Sequence, residues 1–221
     1  MKTTETDAES MSLPRLYLAR HGETAWSLTG QHTGLTDLPL TERGEGNARA
    51  LGHRLIGLSF DKVLTSPLQR ASRTCQLAGF AAMTEVDPDL VEWNYGEFEG
   101  LRTTEIRSKR PGWNLFRDGC PGGESPDEVR ARADGVLKRI CAERGNTLLF
   151  SSGHFLRVLA VRWLGLEPAL GRFLMLNTAS VSILGYENCP SKPVIQLWND
   201  TAHLKTEPVR NLNYEIDTIV T

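Results

Sequence analysis

Four cysteines stand among 221 residues, with no CxxC pair and no spacing suited to a metal. That scarcity argues against a disulfide scaffold or a zinc module, and free thiols in a reducing compartment are expected. Net charge is only −2 and no block of basic residues occurs, so bulk attraction to nucleic acid or to an acidic membrane is excluded. The opening MKTTETDAESMS has no apolar stretch, which predicts neither signal peptide nor membrane anchor and a cytoplasmic location. No linker-like composition interrupts the chain after Pro14, and no internal repeat is present. A single domain over 14–221 behind a polar tail of residues 1–13 is the expectation.

What is present is alternation. RLYLA (15–19) predicts a strand running into Gly22. Thr41 is placed to cap a helix carrying Ala48, Leu51, Leu55 and Leu58 at three- and four-residue spacing. DKVLTSP predicts a second strand, with a helix from LQRASRTCQLAGF behind it. Ser125, Pro126 and Glu128 form a capping-box start for a helix with Val129, Val136, Leu137 and Ile140 on its apolar side, ended by Gly145. NTLLFSSGH then predicts a strand buried on both faces, followed by a helix in FLRVLAVRWLGL and two final strands, SVSILGYE and PVIQLWND. Strands alternating with helices imply a doubly wound α/β fold, a three-layer α/β/α sandwich around a mostly parallel central sheet.

In such sheets ligands sit beyond the carboxyl ends of the strands. His21 and His154 both fall there by sequence, each beside a glycine that permits close approach of the backbone. Arg20 precedes His21, and Arg70 lies where the second strand gives way to its helix. Two arginines and two histidines converging on one crevice would suit a small dianion, because the guanidinium fork matches phosphate oxygens.

The motifs RHGET, SPLQRA, LVEWNYGEFEG and SSGH stand in the order found in the histidine phosphatase superfamily, with its phosphoglycerate-mutase-like fold, and the resemblance runs from about Leu16 to Tyr186. It implies that His21 is the nucleophile that becomes phosphorylated. It further implies that Arg20, Arg70 and His154 cradle the transferred group, and that Glu92 protonates the leaving alcohol. HGETAWSLTGQHTGLTDLPLT, WNYGEFEGLRTTEI and WNLFRDGCPGGES resemble the sedoheptulose-1,7-bisphosphatase branch in particular. Ser27 stands where family members often carry asparagine, and the segment from Glu92 to His154 is short for a mutase insert; both favour a hydrolase over a mutase.

The resemblance thus implies a metal-independent phosphomonoesterase that needs no cofactor and acts on a small phosphorylated metabolite, with a sugar bisphosphate foremost. Phosphoglycerate-mutase-type transfer and a non-catalytic phosphate-binding module are the alternatives. For substrate contact the loop residues Ser27, Gln31, Thr33 and Gly34 are candidates, with Tyr95. Arg157, three residues beyond His154, is the favoured second anion site, ahead of Arg102, Arg107, Lys109, Arg110 and Arg117 in a cap segment of about 93–125. His32 groups with the loop residues, His53 and His203 are expected to be structural, and a homo-oligomer is left open.

Overall fold

The computed structural model describes residues 13–143 and 145–204. Most of the expected tail, and the part of the expected domain beyond residue 204, therefore lie outside the described residues.

Six strands form one sheet in the order β3-β2-β4-β1-β5-β6: β1 (Leu16–Arg20), β2 (Lys62–Thr65), β3 (Thr84–Val86), β4 (Thr147–Ser151), β5 (Val181–Tyr186) and β6 (Pro193–Asp200). β1 and β4 pair in parallel from Leu16 opposite Thr147 to Arg20 opposite Ser151, and β4–β2 and β2–β3 are parallel as well. Only β5 runs against the others, antiparallel to both β1 and β6. The helices are α1 (Ala25–Thr29), α2 (Glu42–Leu55), α3 (Gln69–Leu77), α4 (Thr103–Lys109), α5 (Leu115–Asp118), α6 (Pro126–Ala142) and α7 (Gly153–Trp163).

Strand alternation builds the three layers. Leu16, Leu18, Leu64 and Leu149 point to one face, where they meet α6 and α7 together with Trp93, Tyr95, Phe98, Trp113 and Phe116 of the cap segment. Tyr17, Ala19, Val63, Leu148 and Phe150 point to the other, against Leu51 and Leu55 of α2 and Cys75 of α3. Both faces are covered, as the continuous apolar strands require.

Local signals placed the helix starts. Thr41 accepts from Gly44 N–H at the head of α2, and Ser125 and Glu128 make the reciprocal cap of α6 with Pro126 in the first turn. The ends differ from expectation. α2 stops at Leu55, leaving Leu58 outside and partly exposed beyond Gly57 at φ 82°, and α6 stops at Ala142, before Gly145. No helix among the described residues is long and apolar enough to cross a membrane.

Candidate active site

β1 delivers its last residues to the carboxyl edge of the sheet. His21 N–H donates to Ser151 O (2.9 Å), and His21 O accepts from Ala179 N–H (3.0 Å), so the residue is clamped between its neighbours. Its Nδ1 lies 2.7 Å from Gly22 O. The carbonyl requires a proton on Nδ1, which leaves Nε2 as the bare lone pair. Burial first, then the charges of Arg70 and Arg20, hold the imidazole well below its ordinary pKa, so it is neutral. Gly22 is confined: a Cβ there would meet Gly44 O at 2.5 Å. Its N–H donates to Thr74 Oγ1 (2.9 Å), which itself donates to Arg70 O (2.6 Å). One threonine therefore ties the His21 turn to the helix carrying Arg70.

Arg70 is fully buried. Its Nη1 donates to Thr36 O and its Nη2 to Gly34 O (2.7 Å) and Thr33 O. Arg20 donates through Nη1 to Leu176 O (2.5 Å), with its guanidinium flat against Gly153, where a Cβ would come within 3.1 Å of Cζ. Burial lowers the pKa of both groups, offset in part by Glu92. In each, Nε is buried with no partner. Two charged donors left unpaired in the interior are costly, and an anionic ligand would supply the missing acceptors.

Glu92 leaves the sheet edge and accepts at the head of α7. Oε1 takes Phe155 N–H (2.7 Å) and Trp93 N–H (2.9 Å), and Oε2 takes His154 N–H (2.9 Å). His154 is thus in the first turn of α7, three residues past the end of β4. Its ring packs among Tyr95, His32 and Phe116. Tyr95 OH is 2.5 Å from Nδ1. Burial keeps the phenol well above its usual pKa and keeps His154 neutral, aided by Arg157, so the phenol donates and Nε2–H is the ring's free donor.

Arg20, His21, Arg70, Glu92 and His154 are therefore brought to one end of the sheet. The residues expected to contact substrate also hold groups of the protein. Ser27 Oγ is spent with Thr24 on capping α1. Gln31 reaches Gly100 O and Thr29, and Thr33 offers its carbonyl to Arg70. Gly34 holds Arg70 through its carbonyl while its N–H donates to Glu99. Tyr95 serves His154. Arg157 commits Nε to Gly171 O (2.9 Å) and Nη2 to Arg172 O, stacks on Phe116, and has its pKa lowered by burial to about 10. In the cap, Arg107 donates to Trp113 O, Arg110 covers Phe98 and Arg117 pairs with Asp118. In sequence, polarity in a loop looks the same whether it faces a substrate or a carbonyl.

Glu99 and Ser152 escaped the sequence, and His203, expected to be structural, has a place beside the His21 clamp. Glu99 Oε1 accepts from Gly34 and Thr36 N–H and so braces the loop that holds Arg70. His203 lies 2.9 Å from Ala179 O, one peptide from the group that clamps His21. Ser152, between β4 and α7, has a buried, unpartnered hydroxyl. Only Ser152 had a signal, its place in SSGH.

A pocket of arginines around a neutral histidine at a sheet's carboxyl edge defines a phosphoryl-handling α/β protein. The chain belongs to the histidine phosphatase superfamily (branch 1), whose model matches residues 16–201, and it is a phosphatase of that superfamily. It is 42% identical to an acid phosphatase of Mycobacterium tuberculosis over 178 residues, 79% of this chain and 87% of the relative. It is 37% identical to the sedoheptulose 1,7-bisphosphatase of Saccharomyces cerevisiae over 186 residues, 69% of this chain and 68% of that one. The solved structure of the open reading frame Rv3214 from Mycobacterium tuberculosis superposes with a TM-score of 0.80 at 38% identity, covering 84% of this chain and 97% of that chain.

Proposed function

We propose that the protein hydrolyses a phosphomonoester through a phosphohistidine on His21, with no metal. His21 Nε2 attacks phosphorus, the ester P–O bond breaks, and the Glu92 carboxyl gives its proton to the departing alkoxide. Water then attacks the same phosphorus and passes a proton to the Glu92 carboxylate; the N–P bond breaks and inorganic phosphate leaves. Oε2 of Glu92, with one N–H contact against two at Oε1, is the oxygen with a lone pair to spare for that proton. Arg20 and Arg70 neutralise the oxygens of the transferring group. His154, whose backbone N–H binds Glu92, offers Nε2–H as a further donor to the transferring group.

The observation that carries this reading is His21 itself, neutral, with Nδ1 committed to Gly22 O and Nε2 free between two guanidinium groups. The test is alkali-quenched labelling in EDTA, conditions in which phosphohistidine survives: the wild-type chain should trap label on histidine, and His21→Ala should lose both label and turnover. Sustained turnover by that variant would sink the mechanism, and loss of wild-type activity in EDTA would point to a metal.

The substrate is read as a small sugar bisphosphate. Support comes from the similarity to the yeast sedoheptulose 1,7-bisphosphatase. Phosphate release from sedoheptulose 1,7-bisphosphate and fructose 1,6-bisphosphate should exceed that from 3-phosphoglycerate; equal rates would remove the bisphosphate preference. Such a metabolic role fits the reducing cytoplasm, where Cys75, Cys120, Cys141 and Cys189 remain free thiols.

A further inference from the structure

Ser152 is 1% exposed, and its Oγ has no hydrogen-bond partner among the described residues. It occupies the N-cap position of α7 without capping it, since its side chain accepts from no backbone N–H there. A buried serine normally finds a partner within its own turn. Another unsatisfied donor, Arg20 Nε, lies beside the next residue, Gly153. The β1–β4 ladder runs in register to Arg20 opposite Ser151, and His21 N–H donates to Ser151 O. The next residues along, His21 and Ser152, therefore stand side by side beyond the strand ends, on the same face of the sheet. Gly153, the residue after Ser152, is where the Arg20 guanidinium lies, with Nε 3.2 Å from the position of a Cβ. Arg20 Nε and Arg70 Nε are the other unpartnered donors around His21.

We propose that Ser152 is a substrate-contacting residue of this site: its hydroxyl donates to a phosphoryl oxygen and, with Arg20 Nε and Arg70 Nε, holds phosphorus in line with His21 Nε2. All three groups lack a partner among the described residues, and one phosphoryl group with three equatorial oxygens satisfies them together. A neutral hydroxyl in this place adds direction without adding charge, so the pocket's cations remain the two arginines. The inference rests on the reading of His21 as phosphoryl acceptor.

The test uses Ser152→Ala and the hydroxyl-retaining Ser152→Thr, assayed with p-nitrophenyl phosphate, with orthovanadate as a probe of the five-coordinate geometry and the unfolding midpoint as control. In Ser152→Ala, kcat should fall about 100- to 1000-fold, and the vanadate inhibition constant should rise by a similar factor. KM should change much less, while Ser152→Thr keeps most of kcat. The ligand-free Ser152→Ala chain should melt at the wild-type temperature or above, because it loses an unsatisfied buried hydroxyl. If Ser152→Ala melts lower while kcat and vanadate inhibition stay within twofold of wild type, Ser152 is structural and the inference is overturned, with the phosphohistidine reading intact. Absence of label on the wild-type chain, with turnover surviving in His21→Ala, overturns both.

Discussion

The Tyr95 hydroxyl lies 2.5 Å from His154 Nδ1 and decides which nitrogen of that ring is free. Tyr95→Phe removes the donor, leaves Nδ1 buried without one and releases the tautomer. The expected result is a fall in kcat of about tenfold and a loss of about 1–2 kcal/mol in denaturant-measured stability. Unchanged kcat with normal stability would remove His154 orientation from the mechanism.

Gly22 has no room for a side chain. An alanine Cβ would come within 2.5 Å of the carbonyl oxygen of Gly44, which belongs to the backbone of α2 and cannot swing aside. Gly22→Ala is expected to cost about 1–3 kcal/mol and to displace His21. Thermal unfolding and phosphoenzyme yield should both fall, and a variant with wild-type melting would show that the turn yields easily.

Glu99 touches neither His21 nor Arg70, yet its carboxylate accepts from Gly34 and Thr36 N–H, whose carbonyls hold the Arg70 guanidinium. In Glu99→Ala that loop loses its brace. KM for phosphomonoesters should rise severalfold, and inhibition by inorganic phosphate should weaken in proportion. An effect on kcat alone would show that Arg70 keeps its place without Glu99.

Acid should destabilise the fold through its buried histidines. Burial lowers the pKa of His32 from 6.5 to about 4, and His21 and His154 are shifted in the same direction. Below pH 6.5 the unfolded chain takes up protons that the folded chain refuses. Stability is therefore complete above pH 6.5 and falls as pH drops towards 4, by about 3 kcal/mol for His32 at 1.36 kcal/mol per unit. Chemical denaturation between pH 7.5 and 4.5 measures this slope, and His32→Gln should flatten it. A slope identical in that variant would assign the loss to other groups.

The sequence alone determined the layered α/β fold and the residues that gather at its edge. Continuous apolar strands such as TLLFS must be covered on both faces, and Thr41, Ser125 and Pro126 start helices by local hydrogen bonding and fixed φ. Arg20, His21 and Arg70 were legible because motif and strand end coincide. Helix ends differ from expectation at Leu58 and Gly145: α2 stops at Leu55, two residues before the left-handed Gly57, and α6 stops at Ala142. What side chains do at the site was decided only by tertiary structure. Ser27, Gln31 and Gly34 read as substrate contacts, yet their partners are a helix cap, Gly100, and the Glu99–Arg70 brace, separated in sequence by as many as 69 positions. Ser152 lay unremarked in SSGH for the same reason. Whether a polar group is satisfied depends on what long-range folding places opposite it, and neither residue type nor neighbours along the chain carry that information.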